Sequence, residues 1–97
     1  MNFIQAIKST KDRSLHIILD GEEIIVHHLG KFDGKGWYSW TVWGPTEGTA
    51  PYYNSQMVTE HQILERISLL MGDEALKSEE MMGIDIFFGR HMQIDNE

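Results

Sequence analysis

The chain has no cysteine, so no disulfide can staple it and no thiolate can act as nucleophile or zinc ligand. Proline is scarce, with two residues in 97, and both lie in the stretch 44–55. Basic residues are also few: eight Lys and Arg stand against fifteen Asp and Glu, a net charge of −7. That imbalance disfavours nucleic acid as a direct ligand, because the phosphate backbone repels it. It favours attraction to a basic protein surface of the kind that ordinarily handles nucleic acid. No apolar run approaches the roughly 18 residues needed to span a bilayer, and residues 1–7 lack the charged and apolar regions of a signal peptide. The expectation is a cytoplasmic protein that does not enter the membrane. A length of 97 residues bounds it to one domain, 1–97, with a single modest core.

What is present is organised around residues 14–43, SLHIILDGEEIIVHHLGKFDGKGWYSWTVW. Three β-rich runs are joined by Asp20-Gly21 and Asp33-Gly34, and Asp-Gly between apolar runs favours a two-residue type I′ turn. Two such turns predict an antiparallel meander. Centring the first loop on Asp20-Gly21 places Ile17 opposite Ile24 and Leu15 opposite Val26. Centring the second on Asp33-Gly34 places Leu29 opposite Tyr38, His27 opposite Trp40 and Ile25 opposite Val42. With side chains alternating between faces, Tyr38, Trp40 and Val42 then join His16 and Ile25, while Ser39, Thr41 and Trp43 join Leu15 and Val26. Both faces come out largely apolar, so each is expected to be covered.

Around the meander, residues 2–8 (NFIQAIK) allow either a strand, from the alternation of Phe3, Gln5 and Ile7, or a helical face of Phe3, Ile4 and Ile7; the strand is preferred. Residues 44–55 (GPTEGTAPYYNS) read as a loop whose Tyr52 and Tyr53 could contact a partner or fold back on the sheet. A helix over 60–71 is well marked. Thr59 and Gln62 form a capping box, Val58 can staple onto Ile63, and Ile63, Leu64, Ile67, Leu70 and Met71 make an apolar stripe ended by Gly72. Asp73 can cap a second, short acidic helix through Met82; residues 84–88 (IDIFF) alternate as a further strand, and 89–97 read as a polar tail. The fold class is α+β: an antiparallel meander of three to five strands packed against one main helix and a second short acidic helix.

Candidate chemistry is thin. Residues 30–36 (GKFDGKG) miss the P-loop pattern by one residue and lack its Ser or Thr, so they read as a hairpin turn. Of the five histidines, adjacent His27 and His28 point to opposite faces, and neither Cys nor an HExxH pair supports a zinc site; no metal or cofactor is expected. Asp20, Glu22 and Glu23 are paired carboxylates with nothing to separate their pKa values, and Ser39 and Thr41 sit mid-strand beside aromatics. The chain is therefore not expected to be an enzyme. Trp37, Tyr38, Trp40 and Trp43 could stack single-stranded bases, but only Lys31 and Lys35 lie near them, and core packing is the default.

The charge is uneven. Residues 72–97 carry Asp73, Glu74, Glu79, Glu80, Asp85, Asp95 and Glu97 against Lys77 and Arg90, while residues 1–58 are close to balanced. Asp73, Glu74, Glu79, Glu80 and Asp85 are the candidate partner-binding residues, with Tyr52, Tyr53 or Met82 as a nearby anchor. The same acids could serve only as a solubilising face. With its single domain, absent cysteine and acidic DEALKSEEMMGID run, the chain resembles the small phage-encoded anti-CRISPR proteins. That class shares no motif, so the resemblance assigns no residue roles. It implies an inhibitor that binds a Cas protein where DNA would bind, in a type I surveillance complex of the host bacterium. Two other classes stay open: a nucleic-acid-binding module using the aromatic meander, and a small metal-binding or enzymatic domain built on the histidines.

Overall fold

The computed structural model describes residues 2–44, 52–77 and 86–90. It is an α+β arrangement in two layers. The elements run α1 (Phe3–Lys8), β1 (Arg13–Leu19), β2 (Glu22–Phe32), β3 (Lys35–Gly44), β4 (Tyr52–Thr59), α2 (Glu60–Met71), α3 (Asp73–Lys77) and β5 (Ile86–Arg90). The five strands form one antiparallel sheet in the order β4-β3-β2-β1-β5. Four consecutive strands make the meander, and β5 returns after the helices to pair with β1.

Both Asp-Gly turns form as the sequence predicts, with φ of 51° and 80° at Asp20 and Gly21 and 53° and 75° at Asp33 and Gly34. The first hairpin has the expected register, Ile17 opposite Ile24 and Leu15 opposite Val26. The second does not. Pairing is regular from Phe32–Lys35 to Gly30–Trp37, then shifts, so that His28 pairs with Tyr38, His27 with Ser39 and Val26 with Trp40. Leu29 is the extra residue of a β-bulge, next to Gly30 at φ 155°, a backbone state that glycine reaches without strain. The expected His27–Trp40 pair is therefore wrong. One inserted residue moves every side chain of β3 beyond it to the other face.

That correction sorts the two faces. Leu15, Ile17, Ile24, Val26, Tyr38, Trp40 and Val58 share one core cluster with Phe3, Ala6 and Ile7 of α1 and Ile63 and Ile67 of α2. The helices thus cover one face only. The other face carries Ile18, Ile25, Trp43, Tyr53, Met57 and Phe87 beside His16, Glu23, His27, Ser39, Thr41 and Ser55, so it mixes apolar and polar side chains, and no described element covers it.

Residues 3–8 form a helix, not a strand. Asn2 and Gln5 make a reciprocal capping box, each side chain bonding the other's backbone N–H at 2.9 Å, and burial of Phe3, Ala6 and Ile7 fixes the helical face. Beyond its end, Thr10 is buried: its hydroxyl donates to the Ile7 carbonyl (2.7 Å), and its own carbonyl accepts from the His28 N–H (3.2 Å). The expected loop 44–55 is also too long, since Tyr52 to Ser55 already belong to β4. The last strand extends past its expected end at Phe88, to Arg90, because the pairing of Gly89 with Ser14 and Arg90 with Arg13 continues the ladder into the supposed tail; residues 84 and 85 lie outside the described residues. The main helix occupies the expected span, with Gln62 N–H donating to the Thr59 hydroxyl (3.2 Å) and Thr59 N–H donating to Gln62 Oε1 (2.9 Å). Asp73 starts α3 within its first turn; the expected extension of that helix to Met82 lies outside the described residues. Among the described residues, no helix is long and apolar enough to cross a membrane.

Candidate partner-binding surface

The outer side of α2 carries the feature the apolar stripe does not explain. Ile63 and Ile67 are buried, and Leu64 and Met71 pack against the core. Leu69 is 87 % exposed and Leu70 50 %. Leu69 follows Ile67 by two positions, about 200° around the helix, so burying Ile67 forces it outward. Leu70, expected in the stripe, lies at its margin and is half out.

Leu69 stands between two clefts. One, of about 320 Å³, runs between α2 and the first hairpin; Trp40 and Val42 contribute to its lining, as do Asp20 and Glu22 of the turn. The other, of about 620 Å³, lies toward α3 and is lined by Leu64, Leu76, His61, Glu65 and Ser68. Carboxylates therefore border both clefts. The base in the first cleft, Arg66, holds its guanidinium 5.4 Å from the Trp40 ring centroid, where the cation meets the face of the ring. Glu65 lies 3.3 Å from His61, one turn earlier and exposed; such a pair is worth little to stability. Asp73 accepts a hydrogen bond from the Ser68 hydroxyl, tying the start of α3 to α2, and both Asp73 and Glu74 are exposed. The result is a protruding apolar side chain on a surface edged with negative charge.

Of the residues singled out from sequence, Asp73 and Glu74 are on this helical side, whereas Glu79, Glu80 and Asp85 lie outside the described residues, as does the proposed anchor Met82. Tyr52 is the first residue of β4. Tyr53 is exposed, with its ring edge-on to Trp43 at 4.9 Å. Val58 faces the helices, so by alternation Tyr53 faces away from them. Tyr53 therefore cannot anchor the same contact as Asp73 and Glu74. Leu69 is the residue that sequence reasoning passed over. Its signal was an apolar side chain off the helical stripe.

The sheet face away from the helices holds a separate polar group. His16 Nδ1 is 2.6 Å from Glu23 Oε2, and its ring stacks on Phe87 at 4.8 Å. Gly89 leaves room for that ring: a Cβ there would come within 2.5 Å of His16 Nε2. Ser39 Oγ lies 2.9 Å from His27 Nδ1 and Thr41 bonds Ser55 at 3.0 Å, both beside a cleft of about 310 Å³. Each of these contacts joins neighbouring strands. Among the described residues, no three His, Cys, Asp or Glu side chains converge as a metal site would require. Beneath the start of α2, burial raises the pKa of Tyr38 above its ordinary value, and the charge of Glu60 adds to the rise.

No protein family, curated protein or solved structure matches the chain.

Proposed function

We propose that this chain is a small acidic inhibitor that binds a protein through the outer side of α2 and the start of α3. The observation that carries the reading is Leu69, nearly fully exposed between two clefts bordered by Asp20, Glu22 and Glu65 on a chain of net charge −7. An exposed leucine amid carboxylates suits a partner with an apolar socket inside a Lys- and Arg-lined surface. The charge speeds encounter and the buried leucine prolongs the complex. Basic surfaces of that kind hold nucleic acid, so occupying one excludes it. In this reading the target is a CRISPR–Cas complex, with a type I surveillance complex as the first candidate, and the chain itself carries no catalytic step.

The test is competition. A purified type I surveillance complex is incubated with the chain and then offered its target DNA, while the chain alone is run against single- and double-stranded DNA. The reading predicts loss of DNA binding by the complex, weakening as salt rises, and no shift of DNA by the chain. Unimpeded DNA binding contradicts this target. A shift of single-stranded DNA by the chain would instead favour the exposed Trp43 and Tyr53, on the sheet face away from the helices, as a stacking platform.

A further inference from the structure

Among the described residues, β4 is an edge strand without the usual protection. It ends the sheet, and no described strand pairs with its outer edge. Its pairing with β3 is unbroken from Trp37–Thr59 to Gly44–Tyr52, with no bulge. Five consecutive residues, 53–57, are exposed, although their side chains alternate between the two faces, so α2 does not cover this part of the strand. The eight residues YYNSQMVT contain no charge and no proline. Exposed edges are ordinarily blunted by lysine, proline, a bulge or brevity. The opposite edge strand, β5, includes a basic residue within its described span, Ile86–Arg90.

We propose that β4 pairs antiparallel with β4 of a second copy of this chain, joining the two sheets edge to edge. The occupant is argued from the strand's own complementarity. A two-fold axis perpendicular to the sheet at Ser55 sets Ser55 against its symmetry mate, Asn54 against Gln56, and Tyr53 against Met57. Opposed residues share a face, so each copy supplies amide against amide on one face and ring against thioether on the other. Charge points to the same seam. Two copies of net charge −7 repel, and β4 is an edge from which that charge is absent. The dimer therefore tightens as salt screens the remaining repulsion, the opposite salt dependence to acidic docking on a basic partner.

Sedimentation equilibrium of the full chain, at about 0.05 and about 0.5 M salt, tests this. The expected result is a reversible dimer that is tighter at the higher salt. Ser55→Lys and Ser55→Glu should each weaken it by at least about tenfold, because like charges then oppose across the axis, and mixing the two variants should restore it. Gln56→Lys, at an exposed position, repeats the disruption without touching the Thr41–Ser55 bond, and thermal melts confirm that each variant folds. A chain that stays monomeric at both salts overturns the proposal. So does a Ser55→Lys variant that dimerises like the parent, or a mixture that fails to recover the dimer.

Discussion

The two sides of α2 use the same kind of residue for opposite ends. Toward the sheet, Ile63 and Ile67 are sealed among Val58, Tyr38 and Trp40. Away from it, Leu69 stands in water, while Leu70 is half out at the margin of the stripe. Hydropathy does not distinguish Leu69 from the inner pair; helical phase does. The inner pair removes apolar surface from water and so stabilises the fold, whereas Leu69 leaves that gain unrealised until something covers it. On this account stability and recognition lie on opposite sides of one twelve-residue helix.

The comparison can be broken first at its inner side. Ile67→Ala should lower unfolding free energy by roughly 2–5 kcal/mol, measured by urea denaturation, because it opens a cavity in the core. Next comes Thr59→Ala, which removes the hydroxyl that caps α2 and should cost about 0.5–2 kcal/mol; a loss near zero would mean that packing alone holds the helix in phase. A smaller effect is confined to alkaline pH. Tyr38 has a raised pKa in the fold, so the stability linked to its neutral phenol is complete below about pH 10 and is lost as pH rises through the folded value. Tyr38→Phe should flatten that alkaline slope, and melts over the alkaline range check it. Smallest of all, Leu69→Ala should change stability by less than about 0.5 kcal/mol. A loss comparable to that of Ile67→Ala would place Leu69 in the core and end the comparison.

How far the sequence could be read follows from which signals are local. Asp-Gly turns act over four residues and a capping box over four, so both hairpin tips and the start of α2 were legible. The bulge was marked only by Gly30 inside an otherwise regular strand, and that one residue reverses the faces of β3. Asn2 and Gln5 carry a second capping box, a signal that the alternation of Phe3, Gln5 and Ile7 masks. Burial of Ala6 between Phe3 and Ile7 was not visible without the core they enter. The acid excess could be counted from sequence, whereas its placement could not. Tyr53, Asp73 and Glu74 share the chemistry of contact residues, yet strand alternation puts the ring and the acids on opposite sides of the sheet. Leu69 was hidden among leucines, since a helical stripe is recognised by its members and not by an outlier.

If charge and Leu69 on the outer side of α2 act together in binding, association kinetics will show it. With a type I surveillance complex immobilised, the parent chain is compared with Leu69→Ala and with the double reversal Glu65→Lys/Glu74→Lys. The double reversal should slow association about tenfold or more at low salt, with the difference closing at about 0.5 M salt. Leu69→Ala should speed dissociation and leave association nearly unchanged. If both variants bind and leave as the parent does, with their melting temperatures intact, the outer side of α2 is only a solvated surface and the claim is contradicted.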